Sequence, residues 1–115
     1  MGRQRIGLHP VARDALRGLG NEVRIARTAK AWTAAQLAEA AGVSLSTIGK
    51  IEKGEAAVSV GNVLNVAAIA GVRLFSYDDP ADLALRRRRG EETLGLLPSR
   101  VRPARVKDDD ADLDF

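Results

Sequence analysis

A chain of 115 residues supplies one compact domain with tails rather than two full cores. With 45% hydrophobic but only 3% aromatic residues, it calls for an all-α fold of closely packed Ala, Val, Leu and Ile. The lack of cysteine excludes disulfides, thiolate metal sites and cysteine nucleophiles. No apolar run approaches the roughly 20 residues that span a bilayer, and no secretory leader pattern opens the chain, so a cytoplasmic protein is expected.

The net charge of +3 conceals a segregation. Residues 1–53 carry nine basic and four acidic side chains, residues 54–85 one and four, residues 86–107 eight and two, and residues 108–115 none and five. The balance along the chain is therefore +5, −3, +6 and −5. Two basic regions around an acidic middle suit a polyanion-binding face, and equally suit ordinary solvated surface. The acidic end, residues 108–115, would either repel that polyanion or compete for the basic arm.

Three regions are expected: a flexible start over 1–10, a folded domain over 11–77 and a charged extension over 78–115. In the domain, Leu16, Leu19, Val23 and Ala26 recur at spacings of three, four and three from Val11 onward, the stripe of a helix. Gly18 and Gly20 weaken it by about 1 kcal/mol each against alanine, so its secure part is predicted from Leu19 to about Lys30. Thr33 followed by Gln36 has capping-box spacing and opens a second helix, with Leu37, Ala38 and Ala41 inward and Gly42 as its stop. Ser44 caps a third helix with Ile48 and Ile51 inward and Gly54 at its end. Ser59 precedes a fourth, on which Val60, Val63, Leu64, Ala67 and Ala70 form the apolar stripe before Gly71.

The run VRLFSY, Val72 to Tyr77, approximates strand alternation. A lone strand needs a partner, which a second copy of the chain would provide through Val72, Leu74, Phe75 and Tyr77. The other reading is an irregular segment laying Leu74 and Phe75 on the helical core. Pro80 suits the first turn of a fifth helix, whose four consecutive arginines end at Gly90. The remainder, rich in charge and proline, is expected to be extended or disordered.

A helix, a turn at Gly42 and a second helix starting at Ser44 make a helix-turn-helix unit, in which the short connection sets the two axes at a steep angle. The outer residues Leu45, Ser46, Gly49 and Lys50, with Thr47 at the margin, lie away from Ile48 and Ile51, where a major groove can receive them.

The stretch VRIARTAKAWTAAQLAEAAGVSLSTIGKIEKGEAAVSVGNVLNVAAIAGV, residues 23–72, resembles the lambda-repressor-like helix-turn-helix family, also called Xre or Cro type. Its markers are Arg27, the TAAQLAEAAGVS core, the Ile48 to Ile51 spacing and the IEKG ending. The resemblance implies a lambda-repressor-like bundle of four to five helices and a repressor that binds palindromic double-stranded operator DNA as a homodimer, placing a cytoplasmic protein at the nucleoid. It implies base or phosphate contacts for Ser44, Leu45, Ser46 and Lys50, and backbone contacts near Thr33, Ala34 and Gln36. By chemistry, Lys50 can donate to guanine, Ser46 can donate or accept, Leu45 can touch a thymine methyl, and Gln36 and Lys53 can meet phosphates. Leu45, Ala34 and Gly49 are poor hydrogen-bonding readers, so DNA shape and dimer spacing are expected to carry more of the selectivity. The resemblance also implies a structural Arg27–Glu52 ion pair. Trp32 reads as a packing residue.

His9 has no histidine partner, the acidic runs lack calcium-loop spacing, and no serine has a nearby general base or Gly-rich phosphate loop. Neither metal nor cofactor is expected, and no enzyme. A second reading comes from the strand-like VRLFSYDD and the basic-then-acidic tail, which look like those of HipB-type antitoxins. Such proteins autorepress their operon and bind a HipA-type kinase toxin, making this an interaction protein whose tail neutralises a partner, with DNA binding secondary.

Overall fold

The structure, a computed structural model, describes residues 7–104. The acidic segment 108–115 and residues 1–6 of the expected flexible start lie outside the described residues. The chain divides into two units, the first ending at Asp78 and the second beginning at Asp79. The first holds helices α1 (Pro10–Ala29), α2 (Ala34–Ala41), α3 (Leu45–Lys53) and α4 (Val60–Ala70), then a single 3₁₀ turn, Leu74–Ser76. The second holds α5 (Pro80–Leu96). Among the described residues there is no strand.

Local chemistry explains where the helices begin and end. The side chains of Thr33, Ser44 and Ser59 accept from Gln36 N, Thr47 N and Asn62 N, so each of α2, α3 and α4 starts on a hydroxyl cap. At the other end, Gly42, Gly54 and Gly71 all take the left-handed conformation. The next amide then reaches back to close the turn: Val43 N donates to Ala38 O at 3.0 Å, Glu55 N to Lys50 O at 3.0 Å and Val72 N to Ala67 O at 2.9 Å. Helix α1 ends in the same motif without glycine. Ala31 sits at φ 60° and Trp32 N donates to Arg27 O at 2.9 Å.

The core of the first unit comprises Val23 of α1, Leu37 and Ala38 of α2, Ile48 and Ile51 of α3, and Val63, Val66, Ala67 and Ala70 of α4. Leu19, Ala26, Trp32, Val43, Val58 and Leu74 close its rim. Helices α3 and α4 each pack on both α1 and α2.

Four expectations are corrected. First, α1 does not weaken at its glycines; it runs from Pro10, with Pro in its first turn and His9 Nδ1 accepting from Val11 N at 3.1 Å. Gly20 is buried against α3, where a Cβ would lie 2.5 Å from Ile51 O and 2.7 Å from Glu52 O. The residue that looked like a helix weakness is therefore what lets α1 and α3 touch backbone to backbone.

Second, the inward stripe of α4 is rotated. Val66 is wholly buried, whereas Val60 is 72% exposed and Leu64 stands outside the core. VGNVLNVAAIA is apolar nearly all round and carries no charge, so periodicity alone cannot choose its inner face.

Third, residues 72–77 form no strand. Phe75 and Ser76 adopt φ 57° and 64°, which breaks extended geometry and curls the chain into the 3₁₀ turn. Val72 and Leu74 pack on the subunit's own core while Phe75 remains 67% exposed, so the irregular-segment reading holds for Leu74 and not for Phe75.

Fourth, α5 does not stop at Gly90. Arg87 pairs with Glu91 across that point at 2.9 Å, and the helix continues to Leu96. It ends because Leu97, preceding Pro98, is driven to extended geometry at ψ 152°.

The contact at Gly20 generates a paired prediction. Gly20→Ala should destabilise the domain by about 1–3 kcal/mol through overpacking against α3. Gly18→Ala, two residues away with nothing within 4 Å of its Cβ position, should stabilise it by about 0.5–1 kcal/mol. Urea unfolding of both variants checks this; equal effects of the same sign would remove the close-approach role.

Candidate nucleic-acid interface

Helix α3 is held from one side and open on the other. Its inner side is locked by Ile48 and Ile51, 0% and 3% exposed. Arg27 adds a polar clamp: its Nε donates to Glu52 Oε2 at 2.6 Å and its Nη2 to Glu52 Oε1 at 3.1 Å, a two-pronged pair between α1 and α3. A third bond, from Nη1 to Trp32 O at 3.0 Å, ties in the loop before α2. Both side chains are mostly covered, at 14% and 11% exposure. The hydrogen bond to Glu52 raises the Arg27 pKa above its ordinary value, opposed by burial and reinforced by Coulomb attraction. Since that pKa is raised, the contribution is complete below the unfolded value and fades only as strongly alkaline pH passes through the folded one.

The C-terminal ends of α1 and α2 are each tied to α4 by side chains that the sequence pattern did not single out. Lys30 Nζ donates to Ile69 O, among the last carbonyls of α4, at 3.1 Å and lies 4.7 Å from the Trp32 ring centroid. Trp32 itself is half-buried on the core, a packing residue. Asn65 Nδ2 donates to Ala41 O at 3.3 Å, joining α4 to the end of α2. Neither Lys30 nor Asn65 stands in a local motif that would have marked it.

Only Gly42, Val43 and Ser44 separate α2 from α3. All three are committed: Gly42 to the left-handed turn, Val43 to the amide that closes it, Ser44 to the cap. The connection has no spare residue, so the start of α3 is fixed by the end of α2.

On the open side, Leu45, Ser46, Lys50 and Lys53 are exposed, Leu45 at 57%. Ser46, Lys50 and Lys53, at i, i+4 and i+7, form one outward row. None of the three side chains makes a hydrogen bond or ion pair with another described residue. Gly49 lies half-covered beside the row.

The remaining expected contact residues have structural duties. Ser44 Oγ accepts from Thr47 N at 3.0 Å and lies 2.9 Å from Thr47 Oγ1, and Thr47 is half-buried. Thr33 and Gln36 form a reciprocal capping box: Thr33 Oγ1 accepts from Gln36 N at 3.1 Å, and Gln36 Oε1 from Thr33 N at 2.8 Å. Gln36 thereby spends its carbonyl on the cap and keeps its Nε2 hydrogens for an outside acceptor. Lys50 and Lys53 also sit in the last turn of α3, where cations stabilise a helix end.

The clamp carries its own prediction. Arg27→Ala should lower unfolding free energy by about 3 kcal/mol, because it strands the Glu52 carboxylate in a covered position. Adding Glu52→Leu should recover most of that loss. Chemical denaturation of the two variants and their combination tests this; simple additivity would mean that the two groups are not coupled.

No helix among the described residues is long and apolar enough to cross a membrane. No curated protein matches the chain. Residues 23–75 match a family model described as helix-turn-helix, a match that points to DNA binding and transcription regulation; α2, its three-residue connection and α3 are the helix-turn-helix unit of that domain.

Proposed function

We propose that the protein is a transcriptional repressor that binds a two-fold symmetric operator as a homodimer and inserts the outer side of α3 into the major groove. The observation that carries this is the row Ser46, Lys50 and Lys53, solvent-facing on a helix whose opposite side is immobilised by Ile48, Ile51 and the Arg27–Glu52 clamp. Helices presented in this way fit the groove with their N-terminal residues toward the bases. Lys50 donates to a guanine edge, Ser46 reads either partner, Leu45 meets a thymine methyl, and Lys53 and Gln36 reach phosphates. The hydroxyls of Ser44, Thr33 and Thr47 serve chiefly to set the helix starts, bringing backbone N–H groups toward the phosphates.

One such domain makes few contacts, and two copies about one helical turn apart multiply them. Phe75 is the exposed apolar member of the 72–77 segment and is left for a second copy, since Val72 and Leu74 are used within the subunit and Tyr77 is half-buried. Val60, exposed on the charge-free α4, offers a further apolar point.

Lys50→Ala should weaken binding to a preferred palindromic duplex by about 1–3 kcal/mol and relax preference at one base pair per half-site, leaving stability nearly unchanged. Selection of preferred duplexes from a random pool, followed by fluorescence anisotropy, tests this. An unaltered affinity, or no preference for any palindrome over bulk DNA, would contradict the proposal.

The antitoxin reading draws support from α5, which has no buried residue and displays Leu94, Leu96 and Leu97. In that reading these residues engage a kinase-type toxin while the helix-turn-helix domain represses the shared operon. Co-expression with the product of a neighbouring kinase-like reading frame tests it: co-purification lost on Leu94→Ala/Leu97→Ala supports a toxin partner, and separate elution removes it.

A further inference from the structure

Helix α5 carries a concentration of positive charge that the α3 reading row does not absorb. Arg86, Arg87, Arg88 and Arg89 are consecutive and exposed. Successive helical residues are turned by about 100°, so four in a row form a girdle around the whole circumference, not a stripe on one side. The helix supplies little to balance it. Glu91 is taken by Arg87 at 2.9 Å, but both side chains are more than half exposed and such a pair exchanges cheaply. Among the described residues, the side chains of Arg88 and Arg89 make no hydrogen bond or ion pair.

The form of the girdle narrows the anion it suits. Its four guanidinium groups arise within about 4.5 Å of helix axis, and duplex DNA carries about one negative charge per 1.7 Å of its own axis. Few other surfaces match that density. Arg86 and Arg88 point to nearly opposite sides, as do Arg87 and Arg89, so cations face both ways across a helix about 10–12 Å in diameter. A major groove about 12 Å wide is walled by phosphates on both sides. Each guanidinium can also hold a phosphate at two points.

Other polyanions fit less well. No aromatic residue lies between Pro80 and Leu97, so α5 offers no platform on which single-stranded bases would stack. Leu83 and Leu94 share one side of the helix, but Arg87 lies between them on it, which interrupts the apolar stripe that a lipid surface requires. Asp82 in the first turn, and Glu91 and Glu92 just past the girdle, would repel phosphates and confine the contact to residues 86–89. The helix buries none of its residues, so no inner side fixes which arginine faces outward. A girdle needs no such choice, because every side presents a cation.

We propose that the arginine girdle of α5 is a second duplex-binding element, a sequence-independent grip on DNA phosphates that adds affinity while the α3 row supplies the base preference. That duplex DNA is the polyanion rests on the DNA-binding reading given above; the density and arrangement of the charge do not.

The test uses the full-length chain and its Arg88→Gln/Arg89→Gln variant, with Arg13→Gln/Arg24→Gln as a control that removes the same charge from exposed positions on α1. Fluorescence anisotropy measures binding to a random-sequence duplex and to a selected palindromic one from about 50 to about 200 mM salt. Loss of two phosphate contacts should lower the slope of log affinity against log salt by about two, so that the girdle variant loses about tenfold less affinity than the unaltered chain across that range. Both duplexes should weaken by the same factor, whereas Lys50→Ala alters the preference between them. The α1 control should keep most of the slope. An unchanged slope in the girdle variant, or an equal change in the control, would overturn the grip, and a palindrome preference that persists would leave the repressor reading standing. Equal affinity for a single strand of the same length, or stronger arginine-dependent capture by phosphatidylglycerol vesicles, would overturn the duplex as its ligand. Arginine-dependent duplex binding without any palindrome preference would defeat the repressor reading and leave the grip standing. Failure to bind any duplex would defeat both.

Discussion

The two-pronged bond between Arg27 and Glu52 is the constraint through which the rest of the domain acts. Apolar packing of Ile48 and Ile51 holds α3 against the bundle but is tolerant of rotation and sliding. A guanidinium matched to a carboxylate at two points is not. Its third bond, to Trp32 O, extends the same constraint to the chain that leads into α2. A pair of apolar side chains could match its stability, yet would not fix three segments relative to one planar group. The tight approach at Gly20 adds to it, since Ile51 O and Glu52 O lie where an α1 side chain would otherwise begin.

Once α3 is placed, the outward row follows from helical geometry. Ile48 and Ile51 define the inner side, and Ser46, Lys50 and Lys53 must then face out. The three-residue connection of Gly42, Val43 and Ser44 adds a second fixed point at the start of the helix. A rigid support beneath an unpaired polar row is what distinguishes a binding face from ordinary solvated surface. The same comparison separates α3 from α5, whose charges encircle a helix that buries none of its own residues.

Much of this was legible in the sequence because it is local. Hydroxyl caps at Thr33, Ser44 and Ser59 and left-handed stops at Gly42, Gly54 and Gly71 act within a few residues, so spacing alone placed the ends of α2, α3 and α4. The inner sides of α2 and α3 were legible for the same reason. The Arg27–Glu52 pair was accessible only through family resemblance, as its members lie 25 residues apart in sequence. What stayed hidden depends on tertiary neighbours. Gly20 looks like a helix weakness until α3 is laid beside it, Lys30 and Asn65 act on carbonyls of other helices, and an uncharged α4 gives no polar side from which to infer its core. The segment 72–77 misled because a six-residue alternation is weak evidence and nothing in its composition marks Phe75 and Ser76 as left-handed.

The proposed function makes one spatial claim: duplex DNA meets the first turn and outer row of α3 together with the first turn of α2. The most direct measurement is titration of a selected palindromic duplex into isotopically labelled protein, followed through backbone amide resonances. The account predicts that the largest changes fall on residues 33–36 and 44–50, with the α4 interior around Val66 and Ala67 little moved. Changes concentrated on α4 or α5, with Ser46 and Lys50 unaffected, would contradict it.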